Sequence, residues 1–564
     1  MNFKKITLLL ALLVMTLSVD AALGDKIKKI KCGKDITLTG VVCCGDEPVA
    51  GVAVTDGVNI VRTDADGIYR LASQKKYGLV YLSVPAGYEP LGKENGIVPD
   101  FWATTTLAPK KRERHDFELK KVDDSRVSMI ICTDSHLCNS DRGDLQFFTQ
   151  NHMPVVRRVY DEVKDAPVYT VILGDITWDR FWTMTGFSID NVVPYLTENN
   201  YPTQVYTVMG NHDNDPSVPA GENTDLLATA RYRNVFGPTF YSMDKGGFHF
   251  VMLDNIVYKN EFNPKEKLKP GVVGSRNYDV YVDEAQIDWL RKDLAAVAKS
   301  TPIVVCMHSP LRRMAENGGV KAAFKKGKEQ ALLDLLKEYE SVRIFAGHMH
   351  QSHCLPIEGY PNITEYTLPS VCGELWKTPK HTGINFCDDG SWAGFMLCTF
   401  DGGTLRNRTY YSQTGSDSPL RLYDMNSVSK YYAESKDATM LKHLCELLPN
   451  QKDYSAAEYA DYVYINCWYC DRNVKIEADE AGTPLQVEEV KGSDPWGAVA
   501  ILGPSLKKKK KGNKRSNTLS VVEHLYRVKT QSATTPVTVT VTTPYGERYT
   551  QTLERPAAFP AFGK

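Results

Sequence analysis

Five short apolar runs punctuate the middle of the chain: Ser128–Thr133, Val168–Leu173, Gln204–Met209, Pro302–Met307 and Arg343–Ala346. Each is closed or directly followed by a small cluster of polar residues and glycine. Runs of this length, rich in Val and Ile, predict buried strands of an α/β sheet. Helical periods lie between them. Gln146–Lys164 is amphipathic, and Gln330–Tyr339 repeats that theme with paired leucines. Asp283-Glu-Ala-Gln286 has the form of a capping box, with Ile287, Leu290, Leu294 and Val297 following at three- and four-residue spacings. Alternation of this kind from Ser125 onward predicts a parallel or mixed sheet with helices outside. The carboxyl ends of its strands would then converge on one edge, where ligands usually bind.

The flanks have a different texture. Between Asp35 and Asp123 apolar and polar residues alternate in short runs, and the turns carry Asp56-Gly57, Asp66-Gly67 and Pro85, an all-β pattern. Asp64 and Asp66 read as turn aspartates bonded to their own backbone, with calcium binding as the alternative. Beyond Phe400, Tyr410–Asp453 is helical and polar in part. Asp461–Ile476, Ala498–Leu502, Val521–Thr530 and Pro536–Thr543 read as strands, and Val537–Thr543 has a clean period of two. At 564 residues the chain has room for three or four domains. The division expected is 1–22, 35–123, 125–400 and 405–564.

The first segment has the character of a secretory leader. Lys4-Lys5 precede the apolar stretch Ile6–Val19, and the small residues after it suit a cut after Ala21. Those 14 residues fall short of the ~20 needed to span a bilayer, and no other stretch is long enough. A periplasmic or extracellular location is therefore expected. None of the 13 cysteines shows a disulfide-framework spacing. Cys132 and Cys306 fall inside apolar runs, Cys467 and Cys470 lack partners for a zinc site, and export leaves room for one or two disulfides. A formal net charge of −1 gives no electrostatic bias toward nucleic acid or anionic membrane. The basic run Lys507–Lys511, with Lys514 and Arg515, reads as a solvated hairpin tip.

Chemistry concentrates where the apolar runs stop. In chain order the polar clusters are Asp134-Ser135-His136, Gly174-Asp175, Gly210-Asn211-His212-Asp213, His308 and Gly347-His348-Met349-His350. Any one of them alone would be a turn, a helix cap or a buried histidine. Together, at five successive strand ends, they supply carboxylate, amide and imidazole donors suited to two cations. The order D-x-H, G-D, G-N-H-D, H, G-H-x-H, over roughly Ser125 to Phe400, resembles the calcineurin-like metallophosphoesterase family.

That resemblance implies an α/β fold, a metallophosphoesterase-type β-sandwich core flanked by helices, here with two additional all-β sandwich modules. The N-terminal stretch also resembles small sandwiches of the carboxypeptidase-regulatory and transthyretin-like type. By the same resemblance, Asp134, His136 and His350 would hold one divalent ion, and Asn211, His308 and His348 the second. Asp175 would bridge the two, and Gly174, Gly210 and Gly347 would let the backbone turn beside them. His212 would protonate the leaving alkoxide, with Asp213 orienting its ring. The activity implied is hydrolysis of a small-molecule phosphate ester by attack of a metal-bridging hydroxide.

Purple acid phosphatases carry a tyrosine three residues after the bridging aspartate, and Trp178 stands there in this chain. A tyrosinate-ligated ferric site is therefore not expected, which leaves Mn, Fe(II), Zn or Co. Trp182 and Trp376 are candidates for stacking on a base, sugar or headgroup, with packing between domains as the alternative. Gly383–Phe395 resembles a loop that borders the site in such enzymes. His249 alternates with apolar residues and reads as a satisfied sheet histidine. Two further functions stay open: a diesterase or pyrophosphatase acting on nucleotides or phospholipid headgroups, and a surface-binding protein with a vestigial core.

Overall fold

In the computed structural model the described residues are 23–448, 451–502, 519 and 521–560; the expected leader and the basic run Lys507–Lys511 lie outside them. The apolar runs form two five-stranded sheets, the β-sandwich core that the resemblance implied. Numbered within the catalytic core, the strands are β1 (Arg126–Cys132), β2 (Val168–Leu173), β3 (Gln204–Val208), β4 (Tyr241–Lys245) and β5 (Phe248–Leu253). They continue as β6 (Ile303–Met307), β7 (Val342–Ala346), β8 (Ile363–Thr367), β9 (Gly394–Asp401) and β10 (Thr404–Ser412). One sheet has the order β3-β2-β1-β9-β10 and the other β4-β5-β6-β7-β8. Within them β1–β3 are mutually parallel, as are β5–β8, while β4, β9 and β10 pair antiparallel to their neighbours.

The runs are mostly apolar because both faces of each sheet are covered, and polar exceptions such as Ser128, Thr170 and Thr207 are buried with hydrogen-bond partners. Met129 and Ile131 of one sheet share a core with Phe248, Phe250, Met252, Val304, Cys306 and Phe345 of the other. The intervening Val251, Leu253, Val305, Met307 and Ile344 face Ile287 and Leu290 of helix Glu284–Leu294 and Leu332 and Leu333 of helix Gln330–Leu336. Each such aliphatic side chain contributes about 1.5–3 kcal/mol when fully buried. Only half of the expected capping box forms: Asp283 accepts from the Gln286 amide at 2.7 Å, but the Gln286 side chain bonds the backbone of Asp254 instead of the Asp283 amide. The predicted helix at 146–164 is interrupted: a π turn at Phe148–His152 leads into helix Met153–Val163. Pro154 has no N–H to offer the preceding turn, which widens there.

The N-terminal residues form a sandwich of a six-stranded and a four-stranded sheet, and Asp64 accepts from the amides of Asp66 and Ile68 as a turn aspartate. This sandwich seals one open side of the catalytic core. Val84 exchanges backbone bonds with β4 at Ser242 and Asp244, and Ile97 accepts from Val205 on β3. At the opposite side the C-terminal strands close over β8 and β10. There Tyr366 donates to Asp471 at 3.1 Å and Arg408 to the Cys470 carbonyl at 2.8 Å. Unpaired edge strands invite pairing with other chains, and here both sides are covered from within.

Several expectations need correcting. A division at 405 cuts through a sheet, because Thr404–Ser412 is the edge strand of the catalytic core. Ala498–Leu502 is a turn of π-helix instead of a strand. All 13 cysteines are free thiols, so the one or two disulfides for which export left room are not formed. His249 is satisfied as expected, bonded to Asp244 at 2.7 Å and to Asp293 at 2.9 Å.

Candidate metal centre

Both sheets deliver donors to one place. Asp134 and His136 follow β1, Asp175 follows β2, Asn211 follows β3, His308 follows β6, and His348 and His350 follow β7. Five of these seven have left-handed backbones: φ is +55° at Asp134, +45° at His136, +49° at Asp175, +66° at His348 and +55° at His350. For residues other than glycine such conformations cost on the order of 1–3 kcal/mol each and persist only when the surroundings impose them. The imposing contacts are visible. The amide of Asp134 donates to the Gly174 carbonyl at 3.0 Å, and that of His136 to the Asp175 carbonyl at 2.9 Å.

The three glycines play two different parts. Gly174 has φ +85° and uses its conformational freedom. At Gly210 and Gly347 close approach decides instead. A Cβ on Gly210 would lie 2.1 Å from the Asp175 nitrogen, and one on Gly347 would lie 1.8 Å from Thr133 Oγ1.

The two carboxylates divide their oxygens between framework and centre. Asp134 Oδ2 accepts from Thr133 Oγ1 at 2.6 Å and from the His348 amide at 2.8 Å. Its Oδ1 is buried without a hydrogen-bond donor, 3.3 Å from His350 Nε2 and 3.7 Å from His136 Nε2. Asp175 Oδ1 accepts from the His212 amide at 2.7 Å. Its Oδ2 is 3.4 Å from His136 Nε2 and 3.4 Å from His308 Nε2, one nitrogen from each half of the centre.

The remaining donors are equally close. His136 Nε2 and His350 Nε2 are 3.1 Å apart, as are His308 Nε2 and Asn211 Oδ1, and His308 Nε2 and His348 Nδ1. Donors that share a cation at about 2.1 Å sit roughly 3–3.5 Å apart, and these spacings fit that range. Two rings are also held in one tautomer, because His308 Nδ1 meets the Leu173 carbonyl at 2.8 Å and His350 Nδ1 the Gly373 carbonyl at 3.0 Å. Their Nε2 lone pairs are thereby aimed inward. The orphaned Asp134 oxygen, the shared Asp175 oxygen and the fixed rings fit two divalent ions.

Without cations the cluster divides a few protons among many groups. Burial opposes protonation of His308, but the Asp175 carboxylate overrides it and lifts the ring to about 9. Burial, reinforced by the His308 charge, drops His348 to about 3. Neighbouring imidazoles pushed in opposite directions would be brought to the neutral form together by metal. Cys372 Sγ lies near this group, but it meets His350 at Nδ1, 3.6 Å away, on the ring edge already engaged by Gly373.

His212 comes together with His136 and Asp175, yet Asp213 does not orient it. The Asp213 carboxylate accepts from the amides of Ile176, Thr177 and Gly210 and so braces the loops after β2 and β3. The orienting group is Asp179, whose Oδ1 is 2.8 Å from His212 Nδ1 and also accepts from Arg276 Nη1 at 2.9 Å. Asp179 stands four residues after Asp175 on the turn following β2, a spacing that carries no signal until the turn is seen. Arg276 and Tyr278, on a hairpin between β5 and β6, were not legible at all. The Tyr278 hydroxyl reaches 3.5 Å from His348 Nε2.

Neither expected stacking tryptophan faces a substrate. Trp182 is buried, donates to Thr177 Oγ1 at 3.1 Å and lies under Arg231. Trp376 is buried against Phe147 and donates to the Ser135 carbonyl at 2.9 Å. The Gly383–Phe395 loop acts from one step back, since Phe386 accepts the Glu374 amide next to the carbonyl that holds His350.

A β-sandwich with ligand-bearing loops from both sheets, converging on a shared carboxylate, defines a dinuclear metallohydrolase. The chain belongs to the calcineurin-like phosphoesterase family. Residues 127–352 match the calcineurin-like phosphoesterase domain, 36–122 the N-terminal domain of calcineurin-like phosphoesterase and 365–549 its C-terminal domain. Its catalytic segment is that of metal-dependent phosphoester hydrolases.

Among curated proteins it is similar to purple acid phosphatase 23 of Arabidopsis thaliana, 27% identical over 213 residues. That match covers 33% of this chain and 37% of the relative, so the chain spans about a third of the relative's length. Among solved structures it is similar to a dimetal phosphatase from Danio rerio, with 18% identity, 49% and 93% of the two chains covered and a TM-score of 0.32. A purple acid phosphatase from yellow lupin seeds matches with 13% identity, 65% and 68% coverage and a TM-score of 0.35.

Proposed function

We propose that this protein is an exported hydrolase of small phosphate esters, with Asp134, His136, His350 and Asp175 holding one divalent ion and Asp175, Asn211, His308 and His348 the other. The observation that carries the reading is Asp175 Oδ2, equidistant at 3.4 Å from an imidazole of each half. When bound, the two ions supply a strong nucleophile from water at neutral pH and screen the phosphoryl oxygens. The protein's own groups do the rest. His212 faces the centre with its Nδ1 tied to Asp179, so its Nε2 is placed to hand a proton to the leaving oxygen. Burial opposes the charged ring, but Asp175 and Asp179 raise its pKa above the ordinary histidine value, which keeps that proton available. Arg276 steadies Asp179, and Tyr278 borders the His348 side of the cleft. No helix among the described residues is long and apolar enough to cross a membrane.

The test is Asp175→Asn. Metal content by elemental analysis should fall from two ions toward one or none, and turnover of p-nitrophenyl phosphate with added Mn²⁺ should collapse. Near-normal metal content and activity in this variant would refute the bridging role. Export is tested separately by N-terminal sequencing of the protein from cell fractions, with Ala22 expected as the first residue of the exported form.

A further inference from the structure

The hairpin Ile256–Tyr258 and Tyr278–Val280 carries a long connection between its strands, of which the chemistry above uses only Arg276. Its remainder walls a cavity of about 420 Å³ lined by Arg180, Lys267, Lys269 and Arg276, with Glu266 the sole acid. Four cations against one carboxylate is a steep imbalance in a chain whose net charge is −1. Arg276 belongs to both places, since it lines the cavity while its Nη1 lies 2.9 Å from Asp179 and 3.4 Å from His212 Nδ1. Among the described residues Arg180, Lys267 and Lys269 make no ion pair. Burial, then the neighbouring Arg276 charge, lowers the pKa of Arg180, and the carboxylates of Asp179 and Glu266 offset only part of that.

The base of the connection is firmly built. Arg276 has φ +55°, and its amide donates to Asn260 Oδ1 at 3.0 Å. Asn260 is itself left-handed and is anchored to the carbonyls of Pro216 and Val218. A Cβ at Gly274 would sit 1.9 Å from the Asn260 carbonyl oxygen. Strain retained at a charged residue beside a catalytic histidine is a pointer to function rather than to stability.

We propose that this cavity is a subsite for a second phosphate group carried by the leaving alcohol, so that bisphosphorylated esters are preferred over simple monoesters. The inference rests on the hydrolase reading above. His212 protonates the leaving oxygen, so the leaving alcohol departs on the His212 flank, where Arg276 opens into the cavity. In the reaction one P–O ester bond breaks and one P–O bond to a water oxygen forms. The alcohol oxygen takes its proton from His212, the proton lost by water passes to solvent, and His212 takes one back from solvent before the next turnover. The second phosphate is unchanged and remains bound by the cations until the alcohol leaves.

The matched substrates are n-butyl phosphate and butane-1,4-diol bisphosphate, assayed with the full chain and Mn²⁺. The bisphosphate should show kcat/KM about ten-fold higher or more, well beyond its two-fold statistical advantage, as charge-assisted phosphate contacts warrant. In Lys267→Ala/Lys269→Ala that preference should shrink to about two-fold while n-butyl phosphate turnover is unchanged. No preference in the wild type, or its survival in the double variant, would overturn the subsite.

A chain that hydrolyses no ester with any metal would instead fail the hydrolase reading, and the subsite is then judged by binding. Inorganic phosphate titrated calorimetrically into metal-free full chain should bind, and the double variant should weaken it about ten-fold. Equal binding by both proteins, or none by either, would end the proposal.

Discussion

His212 and Asp179 meet at 2.8 Å on the edge of the centre, and neither is among the seven proposed ligands. Removing the ring therefore separates chemistry from metal binding. In His212→Ala both ions should remain by elemental analysis, while turnover of alkyl phosphates falls roughly 10²–10⁴-fold. Activated nitrophenyl esters, which need less protonation, should lose much less. Asp179→Asn should show the same leaving-group dependence in a weaker form, a loss of at least about ten-fold. Asp213→Asn should instead lower thermal stability, since that carboxylate receives three backbone amides. An equal loss for both kinds of ester in His212→Ala would remove the general-acid role. The contrast also shows what a sequence can express. The seven proposed ligands were legible because each combined a donor side chain with the end of an apolar run. Asp179 was not, because its role depends on how one turn folds back, and the resemblance had given that role to Asp213. Trp182 and Trp376 were conspicuous as residue types, yet their indole N–H groups are spent on Thr177 and Ser135 inside the fold.

Among the elements, the strands were read correctly where they are buried on both faces, because such positions take apolar side chains or polar ones with a partner, as at Thr207 and His249. Errors arose where tertiary pairing decided the outcome. Thr404–Ser412 alternates in burial like an edge strand of either domain, and only its register with β9 assigns it to the core. The division into two sheets was likewise invisible to periodicity, which shows that a strand is buried but not by what. Strand β5 carries a testable consequence of such pairing. His249 ties β4, through Asp244, to helix Glu284–Leu294, through Asp293. Burial would lower its pKa, but the two carboxylates raise it to about 10, against about 6.5 in an unfolded chain. A group whose folded pKa is raised adds stability fully present below about pH 6.5 and lost as pH climbs toward 10. The wild-type melting temperature should therefore fall between pH 7 and 9.5 more steeply than that of His249→Gln, monitored by circular dichroism. Parallel slopes for the two proteins would show that the ring is neutral in the fold.

Across the whole molecule, the sandwich modules occupy the two sides where the catalytic sheets would otherwise end in unpaired strands. The N-terminal module bonds to β3 and β4, and the C-terminal one to β8 and β10. Arg408 is the pin of the second contact. It is buried, projects from β10 between the rings of Tyr366 and Tyr469 at 4.3 Å from each, and donates to the Cys470 carbonyl. Its charge is offset by Asp471 at 3.4 Å. Coupling of this kind predicts that the catalytic core and the C-terminal module unfold together, in a single calorimetric transition that moves upward as divalent metal is added, by mass action on the folded state. Arg408→Met keeps most of the stem's packing but removes the hydrogen bond and leaves Asp471 without its cation, held across the joint by Tyr366 alone. Breaking a buried pair from one side costs on the order of 3–5 kcal/mol, enough to divide the transition in two, with only the catalytic part still responding to metal. Two transitions in the wild type would mean that the joint does not couple the domains, and a single unshifted transition in the variant would mean that Arg408 is not what couples them.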